Sequence, residues 1–506
     1  MKPRSLRNLW RNRAGVARSG NDDPDDPVDP VDPMVAQLAD ALAPERVRVD
    51  SVARALYAHD ASVFGGGASG PVCFPTSLEE VQAIMRIAMS HGRSIVPRGA
   101  GTGLAGGAIP LGEPIVVSMA KMDRIIDIDP AGRVVWVEPG VVNLDLSRHL
   151  RPLGFHYAPD PSSQQVCTIG GNVANNSGGP HCLAYGVTDV HVVAVEVVLV
   201  DGTVVMLGGS CDEVDGYDLR GAFVGSEGML GIATKVAVRL TQNPPAVKTL
   251  LLSFGTVADA ANSVSAIIAA GMVPAALEVM DQKITVAVEN FVNAGYPRDA
   301  AAVLLVELEG MPGSVEADAA RVADIGRDHG ATGVRVAADD AEREALWKGR
   351  KTAFGAIAQI APDYYLHDTV VPRGRLADVL AEIYAIADRH DVVVMNVFHA
   401  GDGNLHPLLL FDGREPGAID RVHAAGAEIV RASLAAGGVL SGEHGIGIEK
   451  QMHMGAMFGP DDLDHQERLR RAFDPYCRVN PGKVIPAGHS CADIQSLRSV
   501  PTGVWG

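Results

Sequence analysis

The sequence predicts a mixed α+β protein with two large folded domains. The chain has 506 residues, and a single core stops growing near ~250–300 residues. The pattern changes at Asn243–Pro245, where short strands and glycine-rich turns give way to strands alternating with long helices. Hydrophobic residues make up 47% of the chain, which is enough for two cores. We therefore place the domains at 34–245 and 246–445, followed by a helical segment at 446–487.

Local signals predict the elements of the first domain. Ser77–Glu80 has the form of a capping box, in which the serine caps one orphan N–H and the glutamate reaches back to another, so a helix is expected from there to about Gly92. Asp201-Gly202 is a hairpin signal between two apolar runs. Strands are expected at 94–97, 115–118, 134–138, 190–200, 203–207 and 231–240.

The second domain repeats strands and helices in two sets. A helix is expected at 376–390, with further helices between the strands. Strands are expected at 249–254, 276–280, 302–309, 334–337, 392–398 and 405–411. This order indicates an antiparallel sheet with helices on one face.

Charge and composition exclude several classes of protein. The net charge of −18 disfavours nucleic acid as a partner, because phosphates would be repelled. No apolar run reaches the ~18 residues of a membrane span. The six cysteines form no C-x-x-C pair, so no Fe–S cluster is encoded, and without a secretory signal a cytoplasmic location is expected.

Both ends of the chain are expected to be tails. Residues 1–33 are polar and proline-rich and cannot bury enough apolar surface to fold, and 488–506 forms a second tail. The basic stretch 1–20 leaves open a peripheral association with the inner face of an anionic membrane. The other interpretation is a plain extension.

The segment 97–107 contains a formal G-x-G-x-x-G at Gly101, Gly103 and Gly106. A Rossmann fingerprint requires a helix directly afterwards. Residues 108–114 hold two prolines and a glycine, which forbid one. The loop is therefore predicted to bind phosphate through backbone N–H groups between two strands, with a merely flexible loop as the alternative.

Two more polar, glycine-rich segments follow. Residues 168–179 contain four glycines and three asparagines, and 225–232 precedes an alternating strand. Such backbone-rich surface suits a flat cofactor with two phosphates lying along the main chain. Independent structural turns are the alternative, which three neighbouring segments disfavour.

A metal site is predicted in the second domain. His399 and His406 flank the turn signal Asp402-Gly403, so both side chains can point to one side. Gly442-Glu443-His444-Gly445 follows about forty residues later. Two histidines and a carboxylate suit a divalent ion such as Zn²⁺, with Mn or Fe as alternatives, and leave positions open for a substrate. The plainer interpretation is a pair of hydrogen-bonded core histidines.

A cation for a substrate carboxylate is present in 346–351. Arg350 offers the planar fork that grips a carboxylate through two N–H groups. A solvated helix face is the alternative.

Together these motifs resemble the vanillyl-alcohol oxidase superfamily, with its PCMH-type FAD domain. The closer resemblance is to the branch holding the FAD-binding subunit of glycolate oxidase, cytochrome-type D-lactate dehydrogenase and D-2-hydroxyglutarate dehydrogenase. It covers about residues 45–487, and 480–483 (Asn-Pro-Gly-Lys) extends it. It implies a two-subdomain FAD domain, an antiparallel-sheet cap domain that holds the substrate, and a C-terminal helical segment that returns to the FAD domain.

The resemblance also implies the cofactor and its contacts. FAD is expected to be non-covalent, because 97–107 contains neither histidine nor cysteine. The implied FAD contacts are Pro97, Arg98, Gly99, Gly101, Thr102, Gly103, Leu104, Gly106, Pro159, Asp160, Ser162, Gly170, Gly171, Asn172, Asn175, Asn176, Gly179, Glu227, Gly231, Ile232 and Asn480.

By the same resemblance, His399, His406 and Glu443 hold the metal and His444 is the base. Arg350, Asn404 and His444 contact the substrate. Some relatives place a hydroxyl side chain four residues after the arginine and a lysine fifteen after it. Here those positions are Phe354 and Tyr365, which favours a small monocarboxylate over a dicarboxylate.

The expected reaction is oxidation of a D-2-hydroxy acid, glycolate or D-lactate, to the 2-oxo acid. Electrons then pass to an external acceptor, which is an Fe–S subunit, a quinone or an electron-transfer flavoprotein. A homodimer is left open. The alternatives are a D-2-hydroxyglutarate dehydrogenase, a non-redox synthase like alkyl-dihydroxyacetone-phosphate synthase, and a non-catalytic FAD subunit.

Overall fold

A computed structural model describes residues 32–209 and 216–486. The predictions for the tails at 1–31 and 488–506 therefore lie outside the described residues. The first described helix is α1 (Pro33–Leu42), which Asp32 caps by accepting a hydrogen bond from the Met34 amide. Within the described ranges, none of the helices combines the length and apolar character needed to cross a bilayer.

The first subdomain is a four-stranded sheet with helices packed on it. Its order is β1-β2-β4-β3, with β1 antiparallel and the other neighbours parallel. Its strands are β1 (Val47–Arg48), β2 (Val72–Cys73), β3 (Ile95–Arg98) and β4 (Ile115–Ser118). Its further helices are α2 (Ser51–Leu56) and α3 (Leu78–Ser90). Ser77 caps α3 as predicted, since its side chain accepts a hydrogen bond from the Glu80 amide.

The second subdomain is a five-stranded antiparallel sheet, in the order β5-β6-β10-β8-β9, beside a small β7–β11 pair. Its strands are β5 (Ile125–Asp129), β6 (Val134–Val137), β7 (Phe155–His156), β8 (Val192–Val198), β9 (Val204–Gly208), β10 (Ile232–Arg239) and β11 (Thr241–Gln242). Its helices are α4 (Asn143–Leu150), α5 (Ile169–Asn175), α6 (Cys182–Tyr185) and α7 (Leu219–Phe223). The predicted hairpin is present as β8 and β9.

The cap domain is a nine-stranded antiparallel sheet. Its main path is β15-β12-β14-β13-β18-β19-β17, and β20 joins β18 to β16. The strands are β12 (Ala246–Phe254), β13 (Ala276–Asp281), β14 (Ala302–Gly310), β15 (Ala331–Val336), β16 (Asp363–Leu366), β17 (Thr369–Val370), β18 (Val393–His399), β19 (Asn404–Leu405) and β20 (Pro407–Phe411). The helices are α8 (Val257–Ala269), α9 (Gln282–Val292), α10 (Pro312–Asp328), α11 (Asp340–Lys351), α12 (Ala353–Ile357), α13 (Leu376–Arg389) and α14 (Ala418–Ala435).

Helices cover both faces of this sheet, so the expectation of helices on one face was wrong. Leu250 and Leu252 of β12 pack with α8, α10, α13 and α14. Leu251, between them, faces the opposite core with α9, α11 and α12. Because side chains alternate along a strand, this run of leucines fills both cores.

The C-terminal segment returns to the first domain. It contains α15 (Met454–Met457) and α16 (Pro460–Phe473). The Asn480 amide donates to the carbonyl of Ile95 at 2.7 Å, and Val479 forms a parallel bridge with that residue. The segment therefore extends the edge of the four-stranded sheet next to β3.

Candidate active site

One cavity of about 420 Å³ lies where the first domain meets the cap. All three glycine-rich segments line it. The cap contributes Arg350, His399 and His406, and the loop after α14 contributes Glu443 and His444. Groups predicted for the cofactor, the metal and the substrate thus share one enclosed space.

The first glycine segment leaves β3 and reaches β4 without forming a helix. This confirms the argument against a Rossmann fingerprint. Gly101 has φ +73°, and a Cβ there would lie 2.1 Å from Nη2 of Arg98. Arg98 is itself fixed, since it donates to the His59 carbonyl at 2.7 Å and lies over the Tyr57 ring. A side chain at 101 would therefore have to displace a buried guanidinium.

The second segment forms α5, a short helix that the glycine and asparagine content did not predict. The Thr168 side chain caps it by accepting a hydrogen bond from the Gly171 amide at 3.3 Å. A Cβ on Gly99 would lie 2.6 Å from the Thr168 hydroxyl oxygen. Glycine thus allows the first two segments to touch and form one wall of the cavity.

Most of the residues predicted to contact FAD line the cavity. They are Pro97, Arg98, Gly99, Gly101, Thr102, Gly103, Leu104, Ser162, Gly170, Gly171, Asn172, Asn175, Glu227, Gly231 and Ile232. Besides lining the cavity, Glu227 binds the C-terminal segment, because its carboxylate accepts hydrogen bonds from the Ile446 and Gly447 amides at 2.6 and 2.8 Å. That contact ties the C-terminal segment to the cavity wall.

Six predicted FAD contacts do not line the cavity, and neither does the predicted substrate contact Asn404; the six are Gly106, Pro159, Asp160, Asn176, Gly179 and Asn480. Asp160 accepts from the His181 ring. Asn480 donates to the carbonyls of Gly107 and Glu227. Through these bonds Asn480 supports two of the segments that form the cavity.

Substituting alanine for Gly101 is expected to weaken FAD binding about tenfold or more, because the new Cβ would collide with Arg98, which lines the cavity. Gly112→Ala is the matched control, because Gly112 has φ +77° but nothing within 4 Å of its Cβ position. Fluorescence titration of the apoprotein with FAD measures both. Equal affinities for FAD in the two variants would contradict the prediction.

The predicted metal ligands converge. Oε1 of Glu443 lies 3.5 Å from Nε2 of His399 and 3.2 Å from Nε2 of His406. Nε2 of His406 nevertheless has no hydrogen bond in the described structure, and neither has Oε2 of Glu443, although both atoms are buried. Buried polar atoms without partners are costly. A divalent ion would satisfy both, so the donor set fits one.

The charges at this cluster also fit a cation. Burial disfavours a charged His399, but Glu278 and Glu443 outweigh it and hold the pKa of His399 well above its usual value. Burial likewise opposes the charge on Glu443, yet His399 and His406 hold the pKa of that carboxyl well below its usual value. The cluster therefore favours a positive charge at its centre, which an ion can supply in place of the proton.

His444 differs from its neighbours. Burial lowers its pKa to about 4, so the imidazole is unprotonated near neutral pH. Its Nε2 lies 3.7 Å from Oε1 of Glu443, and its ring stacks on His406 with centroids 5.0 Å apart. A neutral imidazole facing the cavity can accept a proton.

Two positioning residues were missed in the sequence. Glu278 of β13 accepts from Nδ1 of His399 at 2.8 Å and from Nε of Arg350 at 2.7 Å. A carboxylate behind a ligating histidine fixes its tautomer and orientation. Arg350 is 2% exposed, which excludes the solvated helix face. One buried carboxylate therefore orients both a predicted metal ligand and the predicted substrate arginine.

Asp368 is the second positioning residue that was missed in the sequence. Its fully buried carboxylate accepts from the Ser441 hydroxyl at 2.5 Å, the His444 amide at 3.0 Å and Lys450 at 3.0 Å. The amides of Gly442 and Glu443 also point at it. The loop that carries Glu443 and His444 is thus wrapped around a single buried anion.

The remaining wall is apolar. Phe354 lines it as expected, but Tyr365 does not. Strand alternation in β16 turns Tyr364 and Leu366 to the cavity and Tyr365 to the opposite core, where its ring packs against His367. The residues on the site face of this strand are therefore the two neighbours of the one singled out from the sequence.

Comparisons with known proteins agree with this architecture. Residues 71–208 match the family described as FAD binding domain, and 243–484 match FAD linked oxidases, C-terminal domain. Over 90% of this chain and 97% of the other, the fold superposes on p-cresol methylhydroxylase with TM-score 0.76 and 19% identity. For an alkyldihydroxyacetonephosphate synthase the TM-score is 0.70 at 19% identity, over 89% of this chain and 84% of the other. These likenesses confirm the predicted fold class.

Several relatives are closer in sequence. The glycolate oxidase subunit GlcD of Escherichia coli (strain K12) is 47% identical over 84% of this chain and 85% of its own length. GlcD of Bacillus subtilis (strain 168) is 38% identical over 89% and 96%. A D-lactate dehydrogenase of Anaerostipes hadrus is 32% identical over 88% and 95%. The chain therefore belongs to the FAD-linked oxidase family that includes GlcD and D-lactate dehydrogenase.

Proposed function

We propose that this protein oxidises a small D-2-hydroxy acid, glycolate or D-lactate, to the 2-oxo acid. The supporting observation is the shared cavity, where the glycine segments meet Arg350, the His399–His406–Glu443 cluster and His444. The relatives named for glycolate oxidase and D-lactate dehydrogenase support the same substrate class. A non-catalytic FAD subunit would need no such substrate groups.

In this proposal Arg350 binds the substrate carboxylate, and Glu278 holds its guanidinium in place. His399, His406 and Glu443 would hold a divalent ion. When bound, FAD supplies a two-electron acceptor and the ion supplies Lewis-acid polarisation of the substrate hydroxyl. His444 takes the hydroxyl proton on the ring nitrogen that carries none, because its low pKa keeps the imidazole neutral. The cavity brings the reacting groups together in a fixed arrangement.

The apolar wall supports a substrate with one carboxylate. In the described part of the chain, no lysine lines the cavity, and the cap also contributes Phe354, Tyr364 and Leu366 to its lining. A second carboxylate would be buried there without a cation, which is costly. We therefore favour glycolate and D-lactate over D-2-hydroxyglutarate.

Electrons must then leave the flavin for an external acceptor. The sequence has no C-x-x-C pair for a cluster of its own. Two relatives are named as subunits of glycolate oxidase, which supports partner subunits here. An Fe–S subunit, a quinone and an electron-transfer flavoprotein are the candidate acceptors.

Anaerobic mixing of the FAD-loaded protein with hydroxy acids tests the proposal. Glycolate or D-lactate is expected to bleach the flavin absorbance, whereas L-lactate and D-2-hydroxyglutarate bleach it far more slowly. Bleaching by D-2-hydroxyglutarate alone would show that the apolar wall does not set specificity. Bleaching by none of the acids would favour a non-redox synthase or a carrier of electrons.

A further inference from the structure

A second polar cluster joins the two domains behind the cavity. His181, at the start of α6 in the first domain, places Nδ1 2.8 Å from Oδ2 of Asp160. Its Nε2 lies 3.3 Å from Oε1 of Glu307, on β14 of the cap. Its ring stacks on Trp347 of α11, with centroids 5.5 Å apart and planes inclined by 28°. The His181 imidazole therefore contacts Asp160 of the first domain, the cap sheet through Glu307, and α11, the helix that carries Arg350.

The hydrogen-bond partners indicate a charged histidine. Both acceptors are carboxylates, and an imidazole donates from both nitrogens only when protonated. Burial opposes this charge, but Asp160 and Glu307 outweigh it and hold the pKa of His181 well above its usual value. Although burial raises the pKa of Glu307, its partners, His181 first, bring it down to about 2. Asp160, His181 and Glu307 thus form a largely buried row of hydrogen-bonded acidic and imidazole side chains across the domain boundary.

Glu307 connects this row to α11. Its Oε2 accepts from the Trp347 indole N–H at 2.5 Å and from the Thr249 hydroxyl at 2.8 Å. Glu307 pairs with Ala276 across β14 and β13, so it projects from the same sheet face as Glu278, two residues further along β13. Trp347 and Arg350 are one helical turn apart and face the same side. Two carboxylates of the sheet therefore bind α11: Glu307 accepts a hydrogen bond from Trp347, and Glu278 accepts one from Arg350.

We propose that His181 is a positioning residue that fixes α11, and with it Arg350, relative to the cofactor cavity. Glu278 orients the guanidinium within the cap domain, and both of its contacts, His399 and Arg350, belong to that domain. His181 adds the connection to the first domain, through Asp160, whose neighbours Pro161 and Ser162 line the cavity. This inference rests on the proposed role of Arg350 in binding the substrate carboxylate.

Two variants test separately the N–H donors of His181 and of Trp347, which both bind Glu307. His181→Phe keeps a ring against Trp347 but removes both N–H donors. Trp347→Phe keeps the ring contact but removes the indole donor to Glu307. Tyr185→Phe is the matched control, because the Tyr185 hydroxyl donates across the same interface to Glu309 rather than to α11.

The first readout is steady-state kinetics with glycolate and D-lactate. His181→Phe and Trp347→Phe are expected to raise KM about tenfold and to change kcat by less than about threefold, because the carboxylate clamp is displaced while the metal ligands and His444 are not. Tyr185→Phe is expected to keep the wild-type KM. A variant that merely loosened the fold would lower the amount of active enzyme and hence kcat, without raising KM.

The second readout does not depend on activity. Hydrogen–deuterium exchange of the FAD-loaded protein follows the amides of residues 340–351, which are expected to exchange faster in both test variants than in the wild type or the control. Unchanged exchange would overturn the inference, as would equal increases of KM in His181→Phe and Tyr185→Phe. If the wild type oxidised no hydroxy acid, the proposed function would fail, and the exchange rates would still decide whether His181 fixes α11.

Discussion

Replacing His444 with alanine is expected to lower the rate of flavin reduction by about 10²–10⁴-fold while FAD stays bound. The neutral imidazole is the proposed proton acceptor, and its backbone amide, which Asp368 holds, is unaffected by the change. Asn175 donates to the His444 carbonyl rather than to its ring, so the adjoining FAD segment keeps its contact. Anaerobic stopped-flow measurement of flavin bleaching by D-lactate or glycolate gives the rate.

Two measurements accompany that experiment. The flavin content of the purified variant shows whether FAD is retained, and His149→Ala, which removes an exposed histidine on α4, controls for the loss of an imidazole elsewhere. Fast reduction in His444→Ala would mean that another group takes the proton. A variant that lost its flavin would assign His444 to cofactor binding instead.

Glu443→Gln is expected to lower the affinity for the divalent metal at least about 100-fold, and flavin reduction with it. The substitution keeps the shape of the side chain but removes the anion that lies between His399 and His406. An amide supplies one neutral oxygen where the cluster offered a carboxylate. Metal content after dialysis, measured by mass spectrometry, and the rate of flavin bleaching report the two effects separately.

The same chain segment offers a matched control in Glu449→Gln. Burial raises the pKa of Glu449 to about 7, so at pH 6 its carboxyl is mostly protonated, and there an amide changes its charge little. Glu449→Gln is expected to bind metal like the wild type. Stoichiometric metal in Glu443→Gln would remove Glu443 from the ligand set.

The convergence of the proposed metal ligands was predictable because these residues lie in two short, glycine-flanked segments of the sequence. His399 and His406 flank a tight turn and glycines flank the Glu443-His444 pair, so backbone geometry limits where these side chains can point. Glu278 and Asp368 gave no such signal. Glu278 is 121 residues from His399, and Asp368 is 75 residues from Glu443. Sheet register and loop wrapping bring them together, and neither is visible in local patterns.

The errors have equally local causes. A count of fifteen residues from Arg350 leads to Tyr365, but along a strand an offset of one residue selects the opposite face, and Tyr364 and Leu366 are the ones at the cavity. The second layer of cap helices had a signal in Leu250–Leu252, since consecutive leucines in a strand indicate burial on both sides. Helix α5 was missed because glycine and asparagine are weak helix formers.

The pairing of Glu278 with His399 across β13 and β18 also restricts where this protein tolerates changes in length. Removing one residue within β18 would rotate every later side chain by half a turn, carrying the imidazole to the layer that holds Phe398 and Ala400. Shortening an exposed connection such as 412–417 would leave that pairing in place. We therefore expect insertions and deletions in variants of this sequence to occur in such connections. A design that transfers the site to another protein has to transfer β13 and β18 together.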